Sequence, residues 1–266
     1  MIHLLSLGAG VQSSTMALLA AEGMLTPMPT AAVFADTKAE PASVYRWLDW
    51  LEPRLPFPVC RVTTPRSLEE EETRIRRSGK TGHLYRRSLI PAYLDRGAPA
   101  FRHCTQEFKL RPLWREYRRL AGITPQCRTP EVTQWIGISL DECDRMKPSR
   151  KRWLVNRWPL IYDLPMTRSR CRQWFEKRGL PQPPRSACRF CPYHNDAEWA
   201  RLKREEPLEF ASAVAFERRV QEICMSVGQS KVFLHRSLKP LDLVTLKDSA
   251  REPDLFGDEC EGMCGV

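Results

Sequence analysis

The first 64 residues alternate short apolar runs with helical patterns, and no other feature of the chain constrains its fold as strongly. Residues 2–5, 31–34 and 59–62 are apolar runs that read as buried parallel strands. Helical patterns lie between them, at 13–22 and 41–51. A strand–helix–strand repeat of this kind implies a doubly wound parallel α/β sheet with right-handed crossovers. Ligands of such sheets gather outside the carboxyl ends of the strands.

The turn after the first run is Ser6-Leu7-Gly8-Ala9-Gly10-Val11-Gln12-Ser13-Ser14. Strand, glycine turn and helix start form an anion site: glycines admit a close ligand, and free N–H groups and the helix dipole favour negative charge. The Gly-Lys-Ser/Thr ending of a Walker loop is missing, as is dinucleotide glycine spacing. The plainer reading is a glycine turn with an N-capping serine.

Further along, residues 67–102 are charged and irregular, and read as a helix plus a loop. A helix is expected over 106–120, a strand over 132–138, and a short helix over 140–145 capped by Ser139. Residues 168–178 form a helical pattern stopped by Gly179. Pro181, Pro183 and Pro184 mark an extended linker, and 198–222 is helical with a break at Pro207. Two regions follow: an α/β domain over 1–165, and a mostly helical, cysteine-containing region over 166–266 packed on it.

The chain's 266 residues carry a net charge of +10, with arginines concentrated between 74 and 119 and again between 145 and 152. That excess suits a polyanion, nucleic acid or a phosphorylated nucleotide, or else solvated basic helix faces. No apolar run approaches the roughly 20 residues of a membrane span, and no signal-peptide pattern opens the chain, so a cytoplasmic protein without a membrane partner is expected. Ten cysteines in such a chain point to metal or redox chemistry rather than a disulfide framework.

Four segments carry candidate chemistry. In residues 34–41, Phe34-Ala35-Asp36-Thr37-Lys38-Ala39-Glu40-Pro41, Asp36 ends the second strand beside the turn, where it would hold Mg²⁺ or a nucleotide, or simply cap a helix. Residues 103–113 supply His103, Cys104 and Lys109. Residues 135–145 place Gly137 in a turn before Asp141 and Arg145, four apart and on one helix face, as ligand groups or a surface ion pair. Cys188-Arg189-Phe190-Cys191 sets two thiols on one turn, suited to zinc, an iron–sulfur cluster or redox use. The tail adds Cys260 and Cys264.

These segments resemble, in order, those of the PP-loop ATP pyrophosphatases, and within them the phosphoadenylyl-sulfate reductase-like branch. The turn is similar to the Ser-x-Gly-x-Gly-x-x-Ser-Ser signature, residues 36–40 to Asp-Thr-Gly-x-Glu, and residues 104–113 to Cys-x-x-x-x-Lys-x-x-Pro-Leu. Residues 137–145 look like Gly-Ile-x-x-Asp-Glu-x-x-Arg, and Cys104 with Cys188-x-x-Cys191 matches three of four ligands of that branch's cluster. The resemblance reaches about residue 200. Lys38 replaces a usual glycine, Gln12 stands where many relatives carry Asp, and His103 where the first cysteine would be.

The resemblance implies a Rossmann-like fold of the adenine nucleotide alpha hydrolase type. It implies a nucleotide site of Ser6, Gly8, Gly10, Gln12, Ser13 and Ser14, completed by Phe34, Asp36, Gly137 and Arg145. Catalytic roles would fall to Ser13, Asp36, Lys109, Asp141 and Cys260. A [4Fe–4S] cluster, or alternatively Zn²⁺, would take Cys104, Cys188, Cys191 and Cys264, with Cys260 or His103 as other fourth ligands. The implied activity is cleavage of ATP, with Mg²⁺, to AMP and pyrophosphate for thiolation of a nucleic acid (tRNA or DNA) or a small molecule. Reduction of a sulfonucleotide by a tail cysteine is the alternative, and a non-catalytic metal-containing nucleic-acid-binding protein is the third. A homodimer is compatible with each.

Overall fold

Five parallel strands form the centre of the molecule. The structure, a computed structural model, describes residues 1–95, 97–124, 126, 129 and 131–246. Strands β1 (Ile2–Ser6), β2 (Ala31–Asp36) and β3 (Val59–Thr63) are linked by α1 (Val11–Ala21) and α2 (Ala42–Leu51). After α3 (Leu68–Glu72), β4 (Ile75–Arg77) and β5 (Leu84–Arg86) form an antiparallel hairpin, and β6 (Tyr93–Leu94) follows. Helix α4 (Arg111–Ala121) leads to β7 (Val132–Trp135) and β8 (Leu154–Arg157). Helices α5 (Pro159–Tyr162), α6 (Arg168–Lys177), α7 (Asp196–Glu205) and α8 (Pro207–Ser226) precede β9 (Val232–Phe233), which pairs with β6.

The central order is β3-β2-β1-β7-β8, with every neighbouring pair parallel. The chain runs outward from β1 through β2 to β3, then returns to the other side of β1. The switch point therefore falls between β1 and β7, where open α/β sheets hold their ligands. The expected α/β fold with flanking helices is observed.

Side chains alternate across each strand and build two cores. Leu5, Ala32, Phe34 and Trp135 face α1, α2 and α6, which contribute Met16, Leu19, Trp47, Leu48, Cys171 and Phe175. Leu4, Ala31, Val33 and Val132 face α4, through Leu113 and Tyr117. A third apolar cluster joins α7 and α8 to residues 89–92, Phe108 and the Cys188–Cys191 turn, with Phe190 and Phe216 stacked at 4.0 Å. This cap meets the sheet at the start of α2, where Glu209 and Glu206 accept from the Ala42 and Ser43 N–H groups at 2.9 and 3.2 Å.

Several local expectations are corrected. Residues 67–102 are not simply a helix and loop: Ser67 and Glu70 make a capping box for α3, and the β4–β5 hairpin follows. The helix before residue 111 begins with a π-helical stretch, Thr105–Leu110. Strand β7 ends at Trp135, and β3, expected to be buried, lies at the sheet edge with no fully buried residue and Arg61 exposed. Ser139 does not cap with its side chain, and Leu140–Arg145 is 3-10 in form with a kink at Glu142. Strand β8 and α5 had no sequence expectation, since four residues leave too little periodicity to read.

Candidate functional site

The glycine turn sits at the carboxyl end of β1, and its conformation is set by side chains. The left-handed residue is Ala9, at φ 60°, and not either glycine; Gly10 is extended and forms the N-cap of α1. The Ser13 hydroxyl accepts from the Gly8 N–H at 3.2 Å and donates to the Gly10 carbonyl at 3.3 Å, tying the turn to the first helical turn. Ser14 is the first residue whose N–H turns back, to the Gly10 carbonyl at 3.0 Å. The N–H groups of Val11, Gln12 and Ser13 therefore lack intrahelical acceptors and mark the positive end of α1.

Gly137 comes from the neighbouring strand end. A Cβ there would lie 3.0 Å from the Ser13 nitrogen and 3.1 Å from its Cα, so the position admits only glycine without a shift. The sequence pairing of the turn with Gly137 is thus a direct packing contact across the switch point. Gln12 reaches the same loop, donating to Glu142 at 2.9 Å and to Ser139 at 3.3 Å, while its buried Oε1 lacks a partner.

The remaining expected residues divide. Gly8, Phe34 and Lys109 line one narrow cavity with Glu40, Leu113 and Ser186. Asp36 Oδ1 accepts from the Lys38 N–H at 2.7 Å and the Tyr45 hydroxyl at 2.8 Å. Lys38, standing in the glycine position of the related pattern, takes a left-handed φ of 58°. Ser14 is spent on the core, accepting from the Trp47 indole at 2.9 Å. Ser6 is buried at the end of β1, facing the Tyr117 hydroxyl of α4.

Asp141 and Arg145 do not pair. Asp141 accepts from the Ser139 hydroxyl at 2.6 Å and from the Arg168 N–H at 3.0 Å, anchoring the start of α6. Arg145 bonds Glu142 instead, at 2.9 Å, because the kink at Glu142 breaks the i,i+4 geometry.

Sequence reasoning passed over Glu40, although it quoted the residue. Glu40 is buried, its Oε1 is 3.7 Å from the Lys109 ammonium and accepts from the Thr37 hydroxyl at 3.3 Å and the Cys188 thiol at 3.6 Å. Its Oε2 lacks a partner. Burial, then the Glu40 carboxylate, pushes the Cys188 thiol well up, against the pull of Lys109. Ser186 was also passed over; its hydroxyl donates to the Gly8 carbonyl and closes the cavity. The signal available for Glu40 was its place as the closing acid of the Asp-Thr-x-x-Glu pattern, four residues past Asp36. Ser186 lies 178 residues from its partner and had none.

Cys104, Cys188 and Cys191 gather in the cap's apolar cluster, Cys104 half-buried and the other two buried. Among the described residues no three His, Cys, Asp or Glu side chains form a group that could hold a metal ion. The thiols suit an iron–sulfur cluster or zinc in kind and neighbourhood; in this arrangement Cys188 is occupied by Thr37 and Glu40. Cys260 and Cys264 lie outside the described residues.

Among the described residues no helix is long and apolar enough to cross a membrane. No protein-family model matches the chain, and no curated protein matches it.

Proposed function

We propose that the protein binds ATP at the glycine turn and cleaves it to AMP and pyrophosphate, activating an acceptor for sulfur transfer. The observation that carries this reading is the junction of Ser13 and Gly137: unpaired N–H groups of a helix start, held by a glycine contact, at the switch point of a parallel sheet. Two buried, partnerless oxygens nearby, Gln12 Oε1 and Glu40 Oε2, support a polar ligand there.

In this reading an acceptor oxygen attacks the α-phosphorus of ATP. The bond to the bridging oxygen breaks, and pyrophosphate leaves. The N–H groups of Val11, Gln12 and Ser13 stabilise the developing phosphate charge, and their orientation is fixed in advance by the Ser13 bonds to Gly8 and Gly10. Lys109, held by Glu40, adds a positive charge to the cavity wall. Asp36 is the better of the two acids for Mg²⁺, because both oxygens of Asp141 are engaged by the Arg168 N–H.

Cys104, Cys188 and Cys191, with a tail cysteine, are the thiols we assign to a [4Fe–4S] cluster or to zinc. Bound there, the cluster would supply a docking place for sulfide, and zinc a structural clamp. The Cys188 thiol must first release Glu40 and lose its proton.

The test is product analysis with ATP labelled in the α-phosphate. AMP and pyrophosphate are expected, with formation abolished in Gly137→Val. Release of ADP and phosphate would sink the reading, and turnover of adenylyl sulfate with thioredoxin would replace it with the reductive one. Anaerobic reconstitution with iron and sulfide should give a brown protein that Cys188→Ala bleaches. A colourless protein holding one zinc per chain would assign the thiols to zinc.

A further inference from the structure

Helix α4 covers one face of the sheet with Leu113 and Tyr117, and turns an arginine stripe outward. Arg111, Arg115 and Arg119 are exposed and four residues apart, so they lie on one side of the helix at steps of about 6 Å along its axis. Arg111, Arg115 and Arg119 line a hollow of about 600 Å³, which shares Trp114 and Lys151 with a second of about 550 Å³; on the other side Arg111 and Arg115 border a third, of about 480 Å³, whose wall includes Glu71 and Glu107. The hollow of about 550 Å³ lies toward the carboxyl ends of β7 and β8, where Gln134 and Asn156 open into it beside Lys147 and Arg150. The hollow of about 600 Å³ runs along α4 past Arg118 to Gly122.

Among the described residues no Asp or Glu lines the two hollows that meet at Trp114 and Lys151, so the trench is confined to that side of the stripe. That separates the trench from other basic parts of the surface. Arg201 is held by Glu198, Glu205 and Glu206, and Arg61 by Asp49 and Glu52. Among the described residues only Arg119 of the α4 arginines has a carboxylate partner, Glu116 at 2.7 Å. Arg118 and Lys151 instead lie over the rings of Trp153 and Trp114, at 5.0 and 4.8 Å.

We propose that this trench binds an unpaired stretch of nucleic acid, with successive phosphates along the arginine stripe and a base stacked on Trp114. The stripe offers three cations over about 12 Å of helix, a spacing suited to an extended strand. Trp114 is half-buried, and a base can take the place of Lys151 over its ring. The amides of Gln106, Gln134 and Asn156 provide donors and acceptors for base edges, which an acidic polypeptide would leave unused. As the sulfur acceptor, this nucleic acid rests on the AMP-forming reading above; as a ligand of the trench, it does not.

Binding is measured without ATP, by fluorescence anisotropy of a labelled single-stranded RNA and the DNA of the same sequence, against their duplex and against polyglutamate. Single strands should bind, with log affinity falling against log salt at a slope of about −2 for three phosphates. A stronger signal for RNA or for DNA identifies which strand is the natural one. The double variant Arg111→Ala/Arg115→Ala should weaken binding by about tenfold or more and reduce the slope by about 1.4. Trp114→Leu should also cost about tenfold but leave the slope unchanged. Should Trp114→Leu fail to fold by circular dichroism, the exposed arginine pair still decides.

Arg170→Ala/Arg172→Ala, exposed on α6 across the sheet, should bind like the parent protein. Equal loss in that control, equal binding of duplex, or equal displacement by polyglutamate would each overturn the proposal. Loss of AMP formation with strand binding intact would instead overturn the acceptor role and leave the trench.

Discussion

Around β1 the buried polar groups are neutral, whereas in the cap they are charged. Gln12, Ser13, Ser14 and Thr15 line the start of α1 with amides and hydroxyls. The cap buries Glu72, Arg86, Asp196 and Glu217. Its carboxylates stand in for regular backbone pairing: Glu72 accepts from the Leu89 N–H at 2.7 Å, and Glu217 from the Leu234 and Leu241 N–H groups at 2.7 Å each. A sheet satisfies its own backbone and can leave a neutral, N–H-rich turn open to an anion. The loops that pack on the cap's helices have no sheet partner, and a helix carboxylate takes several of their N–H groups at once. The Glu40–Lys109 pair lies where the two regimes meet.

Breaking the cap's charge should have the largest effect. Glu72 is fully buried and bonds Arg86 as well as the Leu89 and Ile90 N–H groups. Burial pushes its carboxyl up, and Arg86 and the two N–H groups pull it back. Glu72→Ala leaves Arg86 buried without its counter-ion and should cost about 3–5 kcal/mol. Hydrogen exchange should show amides of β5, β6 and α8 losing protection while those of β1, β2 and β7 keep theirs. Simultaneous loss in both sets would break the comparison and make the molecule one cooperative unit.

At the neutral end, the sensitive feature is backbone proximity. Gly137→Ala inserts a methyl 3.0 Å from the Ser13 nitrogen, and the strand end and helix start must part by a few tenths of an ångström. A cost of about 1–3 kcal/mol is expected, with ATP affinity falling further than stability because the Val11–Ser13 N–H groups are displaced. Urea unfolding and calorimetric titration with a non-hydrolysable ATP analogue separate the two. An alanine variant that binds the analogue normally would remove the switch-point contact from the site.

The same contrast decides what the sequence revealed. Strands β1 to β3 and helices α1 and α2 were legible because short apolar runs and helical spacing are local signals, and the glycine turn was legible because it interrupts them. Gly137 was found through its motif, although its reason, contact with Ser13, is 124 residues away and only the fold reveals it. Asp141 and Arg145 were paired by spacing, but a kinked 3-10 segment sent one to α6 and the other to Glu142. Glu72, Glu217 and Ser186 act on partners distant in sequence, in loops without period. A buried acid there looks the same in sequence as a solvated one.

Lys38 probes the junction with a smaller effect of opposite sign. A left-handed lysine at φ 58° costs roughly 1 kcal/mol, held here by the Asp36 carboxylate on its N–H. Lys38→Gly should relieve that strain and stabilise by somewhat less than about 1 kcal/mol, because glycine adds freedom to the unfolded chain. Lys38→Ala, which keeps a Cβ, should gain little. Equal melting temperatures for the glycine and alanine variants would show that the turn carries no strain for Asp36 to hold.

The smallest expected effect is a pH slope, and it belongs to the neutral region. The Trp135 indole N–H donates to His3 Nδ1 at 3.0 Å across the β1–β7 pair, so that nitrogen must be unprotonated. Burial, and then Arg157, hold His3 below its ordinary value of 6.5. Above that value the folded and unfolded chains are both neutral at His3 and stability is flat. Below it the unfolded chain takes the proton first, so stability falls with acidification until the lowered folded value is passed. The hydrogen bond is worth about 1 kcal/mol, and solvent around this partly exposed ring reduces the loss further. Melting curves between pH 7 and pH 5 should therefore slope gently downward, and His3→Phe should flatten them. A slope that survives in His3→Phe would move the titration to the cap, where burial holds His194 down to about 4, and with it the pH sensitivity from the neutral region to the charged one.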